Sequence, residues 1–224
     1  MCARFTLMLP WAEVVRLLGV RAGVQGKPSW NVAPTHQVAI VENGDSGMHL
    51  VSARWGLSVP WSTKPMINAR SETAAQKPTF RKALQERRCL IPTTGFFEWR
   101  SEAGAKRPYL FRRPDGAPFV FAGIVGFHET DGRVAAAACA ILTTSASAFM
   151  RPFHDRMPVI LEEAAWERWL DRSSTDATAV TGLLQPGPED LLVALPVSPR
   201  VNNPRNNDPS CVEPAGEEIR PSGG

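Results

Sequence analysis

The sequence lacks several features by which common classes of protein are detected. Its 224 residues contain no apolar run approaching the ~20 residues that span a bilayer. No basic stretch followed by an apolar run opens the chain, so we expect no secretory signal. No glycine-rich phosphate loop stands before a predicted helix. These absences argue against membrane insertion and against a nucleotide cofactor, and they favour a cytoplasmic protein.

Cysteine is also scarce. The four cysteines, Cys2, Cys89, Cys139 and Cys211, are scattered and form no C-x-x-C motif. This spacing argues against a zinc knuckle or a redox motif, so we predict no metal site and no other cofactor. The small number of cysteines fits a reduced intracellular setting, in which a reactive thiol would survive.

The residues that are present describe an ordinary globular chain. Hydrophobic residues make up 43% and charged residues 21%, and the length suffices for one domain with a full core or two small ones. The net charge of +3 permits nucleic-acid binding without requiring it. We find no repeat and no linker before residue 213, after which EPAGEEIRPSGG has the composition of a disordered tail. The sequence therefore predicts one domain over residues 1–212 and a disordered tail over 213–224.

Hydrophobic periodicity and turn residues predict many strands and few helices. Helices are predicted in PWAEVVRLLGV, after Pro78 and in EEAAWERWL, with Trp11, Val14, Val15, Leu17 and Leu18 on the buried side of the first. GKPSWNVAPTH is predicted as a loop, VPWSTKPMINARSET as an irregular segment, and residues 37–57 as a hairpin around Asn43-Gly44-Asp45. Four strands are predicted in RCLIPTTGFFEWR, RPYLFRR, APFVFAGIVGF and RVAAAACAILTT, and a last strand in DLLVALPVS. Without βαβ regularity, this order predicts the α+β class: a single domain with a curved, mostly antiparallel β-sheet or barrel and peripheral helices.

Cys2 stands directly behind the initiator methionine. One interpretation of Cys2 is that it is an incidental small apolar residue before a strand. The other is that it is a reactive residue, because its α-amine becomes free if Met1 is removed. A free amine and a thiol on adjacent carbons condense with an aldehyde to an imine and then to a thiazolidine ring, and they can also act as nucleophile and base. With ordinary pKa values of about 8, both groups are partly reactive at neutral pH.

Three further stretches combine polar and aromatic residues in ways that a core does not explain. In INARSET, Asn68 and Arg70 would share one face of a strand, which could also be a solvated edge. In TTGFFEWR, Glu98 lies between two aromatic residues that could desolvate it and raise its pKa, although an outward-facing glutamate is an equal alternative. In FHDRMPVIL, His154 precedes a hydrophobic strand and is either a surface residue or an acid–base group.

Taken in order, these stretches resemble a known family. MCARF, WNVAPT, RWGL, INARSET, CLIPTTGFFEW, HDRMPVIL and PVSPRVNN are similar to the motifs of the SRAP family of abasic-site-processing, SOS-response-associated proteins. The resemblance runs from Cys2 to about Asn203. It implies binding of single-stranded DNA at abasic sites, where the N-terminal cysteine captures the sugar aldehyde as a thiazolidine and shields the lesion. It also implies association with the nucleoid when the protein is bound to DNA.

The resemblance implies roles for individual residues. Cys2 resembles the nucleophile, Glu98 the acid that moves protons at the α-amine, His154 the group that assists opening of the sugar ring, and Asn68 the amide that positions Cys2 or the sugar. The residues that the resemblance places at the DNA are Arg4, Asn31, Pro34, Arg70 and Arg156.

The chain departs from the usual family pattern at one position. The family reads MCGRF where this chain has Ala3. An added methyl group restricts φ, so the backbone beside Cys2 either never needed a positive φ or is altered.

Two other classes remain open. An N-terminal-nucleophile hydrolase, such as an amidotransferase, would also expose a cysteine after methionine removal. A non-catalytic single-strand binder would use aromatic residues and arginines alone. Autocatalytic removal of Met1 is compatible with the family interpretation.

Overall fold

The computed structural model of the chain describes residues 2–45, 47–102, 104–130, 133–173 and 178–221. Within them the strands are β1 (Phe5–Leu7), β2 (Arg21–Ala22), β3 (Ser29–Val32), β4 (Gln37–Gly44), β5 (Gly47–Trp55), β6 (Leu57–Val59), β7 (Ser62–Met66), β8 (Asn68–Arg70), β9 (Arg88–Thr93), β10 (Gly95–Glu102), β11 (Ala105–Arg112), β12 (Phe119–Thr130), β13 (Arg133–Ser145), β14 (Arg156–Pro158), β15 (Ile160–Leu161) and β16 (Val193–Pro196). The α-helices are α1 (Trp11–Leu18), α2 (Ser71–Ala74), α3 (Pro78–Glu86), α4 (Trp166–Leu170) and α5 (Thr178–Thr181). Turns of 3₁₀ helix occupy Glu163–Ala165, Glu189–Leu191, Pro199–Asn202 and Pro209–Val212.

The larger sheet closes on itself as a barrel. The order β13-β12-β9-β4-β5 runs through antiparallel pairs, and β5 then returns to β13 in parallel through Arg54↔Ala138 and Trp55↔Cys139. Strands β8, β14, β15 and β2 pair at the margins of this ring. The predicted fold class, a curved and mostly antiparallel sheet or barrel, is confirmed.

A second sheet covers one side of the barrel. Its order is β16-β11-β10-β1-β3, and every pair in it is antiparallel. Phe5 of β1 packs edge-on against Trp55 and Phe121 of the barrel, with ring centroids 5.0 and 5.9 Å apart. The main apolar layer between the sheets therefore lies directly beneath β1, the strand that follows the N-terminus.

The barrel strands are buried on both faces. In β12, Phe119 and Phe121 point into the layer between the sheets, while Val120 and Ile124 point into a second core that includes helix residues. Side chains alternate between the faces of a strand, so a strand covered on both sides reads as a continuous apolar run. This explains the uninterrupted hydrophobic character of APFVFAGIVGF.

The helices lie outside the barrel, and two of the three predicted starts follow simple capping rules. Helix α1 begins after Pro10 and ends at Gly19, whose φ of 63° is the left-handed conformation that glycine tolerates. Helix α3 begins at Pro78, as predicted. The predicted burial of Leu17 is wrong, because this side chain is 44% exposed on the outer face of α1.

Several local predictions are corrected by tertiary pairing. The predicted loop GKPSWNVAPTH contains β3, which pairs with β1. RCLIPTTGFFEWR is not one strand but two, β9 in the barrel and β10 in the second sheet. Gly95 permits this crossing, since a Cβ there would lie 2.7 Å from the carbonyl oxygen of Phe111. The segment predicted as irregular forms the β6–β7 hairpin, β8 and α2.

The predicted disordered tail also differs from the structure over residues 213–221. Ile219 pairs with Ala194 of β16, and Pro214 pairs with Val197. The Glu218 carboxylate accepts a hydrogen bond of 2.6 Å from Arg112. Backbone pairing and one ion pair thus hold a segment whose composition alone suggested disorder, and residues 222–224 lie outside the described residues.

Candidate active site

Cys2 lies shortly before β1, the strand that pairs with β10 on one side and with β3 on the other in the second sheet. It is fully buried in the same apolar layer as Phe5 and Trp55. Burial and the nearby charge of Glu98 both raise the pKa of the Cys2 thiol far above its usual range. The thiol is therefore neutral at physiological pH, and its reaction requires a base that removes the proton. Met1, whose predicted removal would free the α-amine, lies outside the described residues.

The backbone beside Cys2 shows no sign of the strain that Ala3 could have introduced. Thr35, with φ of 77°, is the single non-glycine residue with positive φ in the described part of the chain. Ala3 thus occupies ordinary backbone space, and no glycine is required at this position.

Asn68, on a strand that pairs with the barrel, holds Cys2 by a hydrogen bond. It begins β8, which pairs in parallel with β13, and its Nδ2 donates a hydrogen bond of 2.9 Å to the carbonyl oxygen of Cys2. Its buried Oδ1 accepts no hydrogen bond from the residues that the structure describes. An unpartnered amide oxygen in the interior is costly, so a donor is expected to occupy this place in the functional state.

Glu98 lies on β10 and is only 5% exposed. Burial raises the pKa of Glu98 to about 7, because the charged form loses its hydration. The neighbouring Phe97, which the sequence offered as the cause, packs in a different cluster with Leu110 and Val201. The predicted desolvation is present, and of the two flanking rings it is Trp99, not Phe97, that lines the same cavity as Glu98.

The loop that carries His154 is anchored against the second sheet. Phe153 packs edge-on against Tyr109, which pairs directly with Glu98 across β10 and β11. The carboxylate of Glu189 accepts hydrogen bonds of 2.8 Å from the backbone N–H groups of Ala148 and Phe149 at the start of the loop. These contacts bring His154 to the strand that carries Glu98.

His154 has two partners at one ring nitrogen. Its Nδ1 accepts a hydrogen bond of 2.9 Å from the backbone N–H of Arg156 and lies 2.8 Å from Oδ1 of Asp155. Burial lowers the pKa of His154, while the charge of Asp155 acts in the opposite direction. The imidazole is therefore mostly neutral at pH 7.

Glu98 and His154 line the same open cavity of about 460 Å³, together with Trp99, Lys106 and Asn202. Burial raises the pKa of Glu98 to about 7 and lowers the pKa of His154, so at neutral pH the carboxyl is present in both protonation states while the imidazole is mostly neutral. Groups with pKa values near the working pH exchange protons most effectively. The cavity can thus supply and accept protons near Cys2, whose thiol senses the charge of Glu98.

The structure gives different surroundings to the predicted DNA-contacting residues near the N-terminus. Asn31 is fully buried, and its Nδ2 donates to the carbonyl oxygens of Val201, Asn203 and Asn206. Asn31 also accepts a 2.7 Å hydrogen bond from Arg4. Asn31 therefore holds the C-terminal loop, and a DNA contact by Asn31 stays a prediction.

Arg4 and Pro34 do reach a surface groove. Together with His36 and Arg205 they line a cavity of about 660 Å³. Arg4 also donates a hydrogen bond of 2.8 Å to the carbonyl oxygen of Val201, so much of its guanidinium is already used within the protein. A phosphate contact by Arg4 therefore stays a prediction.

The two remaining arginines differ sharply. Arg70 is exposed at the end of β8, and its side chain makes no hydrogen bond with other described residues, which suits a phosphate contact. The side chain of Arg156 is only 13% exposed and forms an ion pair with Glu72. The predicted alternation through INARSET ends at Arg70, because α2 begins at Ser71 and turns Glu72 away from the strand face.

Sequence reasoning missed two residues that line the cavity and one exposed aromatic residue. Lys106 and Asn202 line it, and Asn202 accepts a 2.7 Å hydrogen bond from Nε1 of Trp99. Asn202 lies in the motif PVSPRVNN, which contributes to the family resemblance but did not by itself indicate a role for this residue. Trp61, 67% exposed between β6 and β7, also offers a large aromatic surface.

No group of three metal-ligating side chains occurs in the described ranges, and no helix there is long and apolar enough to cross a membrane.

Comparison with known proteins agrees with these features. Residues 1–204 match the family described as SOS response associated peptidase (SRAP). The chain is 37% identical over 222 residues to the abasic site processing protein YoqW of Bacillus subtilis, covering 95% of this chain and 99% of that protein. It is 30% identical to the abasic site processing protein YedK of Escherichia coli, covering 96% and 100%. A crystal structure from Bacteroides thetaiotaomicron superposes with a TM-score of 0.84 at 25% identity, covering 96% of this chain and 100% of that one.

Proposed function

Because this chain belongs to the SOS response associated peptidase family, we propose that it binds abasic sites in single-stranded DNA and captures the sugar aldehyde through Cys2. The observation that carries the proposal is the convergence of three groups: a terminal cysteine held by Asn68, a glutamic acid with a pKa of about 7, and a neutral histidine. Together they provide a nucleophile and two proton carriers.

The reaction starts from the ring-closed sugar. The hydroxyl on the adjacent carbon gives its proton to water, the ring oxygen takes a proton from water while it accepts a hydrogen bond from the neutral imidazole of His154, and the ring opens to an aldehyde. The α-amine of Cys2 adds to the aldehyde carbon, and loss of one water leaves an imine. Addition of the Cys2 sulfur to the imine carbon then closes a thiazolidine ring, in which one C–N and one C–S bond have formed.

Glu98 acts at the two steps that move protons at Cys2. With a pKa of about 7, it is present in both protonation states at neutral pH. It accepts the proton that the amine releases on addition, and it returns a proton to the departing hydroxyl. The thiol also needs a base as the C–S bond forms, because its pKa is strongly raised.

Asn68 positions the terminal residue. Its Nδ2 already holds the Cys2 carbonyl, and its unpartnered Oδ1 is the acceptor that a free α-amine would use. The amine exists only after the Met1–Cys2 peptide bond is cleaved. Self-cleavage is part of the proposal, and intact-mass analysis of freshly made wild-type and Glu98→Gln protein tests it. Retention of Met1 in the variant alone supports self-cleavage, whereas its loss from both assigns removal to another enzyme.

The decisive experiment incubates Met1-free protein with a single-stranded oligonucleotide that carries one abasic site. A covalent adduct on a denaturing gel is expected, and an oligonucleotide with a reduced, aldehyde-free site serves as the control. A hydrolase of the amidotransferase type would show no adduct and would consume glutamine. A non-catalytic binder would shift the DNA on a native gel and leave nothing on the denaturing gel.

A further inference from the structure

Glu72 and Arg156 form a two-pronged ion pair outside the reactive cavity. Arg156 donates hydrogen bonds of 2.6 and 2.8 Å to the two carboxylate oxygens of Glu72, and a third of 2.6 Å to the carbonyl oxygen of Thr143. The hydrogen bond and charge of Arg156 lower the pKa of Glu72, so the carboxylate is ionised at neutral pH. A planar guanidinium gripped at both nitrogens has a defined orientation.

The pair joins two segments that are 84 residues apart in the chain. Glu72 lies in α2, which follows β8 directly, and β8 begins with the Asn68 that holds Cys2. Arg156 begins β14, two residues after His154. The ion pair therefore ties the segment that positions the nucleophile to the segment that positions the histidine.

The position of Arg156 also determines what His154 can do. The backbone N–H of Arg156 and the carboxylate of Asp155 compete for Nδ1 of the same ring. While Nδ1 accepts the Arg156 hydrogen bond, the proton of the neutral ring resides on Nε2. The N–H group in question belongs to the backbone of the first residue of β14, which is held both by its pairing with Ser145 and by the ion pair of its side chain. If loss of the ion pair shifts this end of β14, Nδ1 is left to Asp155, and the proton moves to Nδ1 to make that hydrogen bond.

We propose that Glu72 is a positioning residue that, by holding Arg156, keeps His154 in the Nε2-protonated tautomer, in which the Nε2–H group can donate a hydrogen bond to the ring oxygen of the sugar. The catalytic consequence rests on the proposed function, whereas the tautomer is a property of the free protein. Glu72 itself touches neither the cavity residues Glu98 and His154 nor Cys2 in the described hydrogen bonds. It acts through Arg156.

The competing explanation is that Arg156 is a phosphate ligand that Glu72 merely masks. Removal of the Glu72 charge would then free a cation for DNA. Binding would tighten and become more salt-dependent, while the rate at saturating DNA would stay the same. The two explanations thus predict different results for Glu72→Gln: a lower rate at unchanged affinity if Glu72 positions His154, and a higher affinity at unchanged rate if it masks Arg156.

The test compares wild type with Glu72→Gln, using Glu163→Gln as the control because Glu163 is an exposed carboxylate elsewhere. The first readout is the ¹⁵N NMR spectrum of the histidine rings in DNA-free protein. The chain has four histidines, so a His154→Gln spectrum identifies the signal of interest. We expect the Nε2-protonated signature in wild type and in Glu163→Gln, and a shift toward the Nδ1-protonated form in Glu72→Gln.

The second readout is single-turnover adduct formation at several DNA concentrations. The rate at saturating DNA should fall about three- to tenfold in Glu72→Gln, as for the loss of one charge-assisted hydrogen bond, with little change in the half-saturating concentration. Arg156→Lys cannot bridge both carboxylate oxygens and should act in the same direction, so it replaces Glu72→Gln if that variant does not fold. A wild-type tautomer signature in the variant would overturn the proposal, as would tighter DNA binding at an unchanged rate. If wild type forms no adduct, the proposed function fails, and the NMR readout still decides the tautomer.

Discussion

Glu98→Gln is the substitution that most directly tests the physical account of the site. The carboxyl is 5% exposed, and burial raises its pKa from an ordinary value of 4.5 to about 7. A rise of this size corresponds to roughly 3 kcal/mol, because each pH unit is worth about 1.4 kcal/mol. The folded state therefore destabilises the ionised form of Glu98 relative to its protonated form. Glutamine has the same size and carries no charge.

The direction in which stability changes with pH follows from proton linkage. Between pH 4.5 and about pH 7 the folded protein keeps a proton on Glu98 that the unfolded chain has released, so stability falls as the pH rises. Below pH 4.5 both states hold the proton and the penalty is absent; above about pH 7 it is complete. The glutamine variant should thus equal wild type near about pH 4 and exceed it at about pH 8 by up to about 3 kcal/mol. For a chain of this size, that corresponds to a rise in Tm of roughly 6–12 °C.

Thermal unfolding of wild type, Glu98→Gln and Glu163→Gln at several pH values measures the effect. The exposed Glu163 should show no such pH-dependent difference. The same Glu98→Gln protein should form adducts at least about tenfold more slowly, because a proton carrier is lost. If its stability relative to wild type does not change with pH, Glu98 is not desolvated and its pKa is not raised by folding. A more stable protein that crosslinks at the wild-type rate would show that Glu98 is buried without being catalytic.

Three further predictions follow from the same contacts. Cys2→Ala should form no adduct, and Cys2→Ser at most an imine that borohydride traps, because serine keeps the amine but is a weak nucleophile; a stable adduct of the serine variant would mean that another group closes the ring. Arg70→Gln should reduce the salt dependence of single-strand binding by a log–log slope of about 0.7, and an unchanged slope would show that this exposed arginine meets no phosphate. Asn31→Ala should lower the free energy of unfolding in urea by about 2–4 kcal/mol, because Arg4 and three carbonyl oxygens lose a buried partner; DNA binding lost without destabilisation would contradict a structural role.

Residue type and local spacing singled out the candidate residues, each with a non-functional alternative, and the family resemblance supplied their chemistry. A cysteine behind the initiator methionine, an acid among apolar residues and a histidine before a strand pointed to Cys2, Glu98 and His154. Alternating and continuous apolar runs likewise predicted most strands, because burial on one or both faces imposes those patterns. Asn68 came from the family resemblance, and the structure places it against Cys2.

Predictions about charged and polar surface residues were less reliable. Arg70 and Arg156 look alike in the sequence, yet one is exposed and the other is paired with Glu72. Asn31 stands in a polar loop-like stretch but is buried beneath the C-terminal segment. A side chain's partner can come from anywhere in the chain, and local composition carries no information about it.

The sequence by itself thus determined which reactive groups the protein has and which segments must bury apolar faces, since both depend on residue type and short-range periodicity. Tertiary structure alone decided the closure of the barrel through β5 and β13, the splitting of residues 88–102 between two sheets, and the ordered pairing of residues 213–221. It also decided the pKa of Glu98, because desolvation depends on the atoms that surround a carboxylate in space. Those atoms come from strands and loops far apart in the chain, and they meet only when the fold is complete.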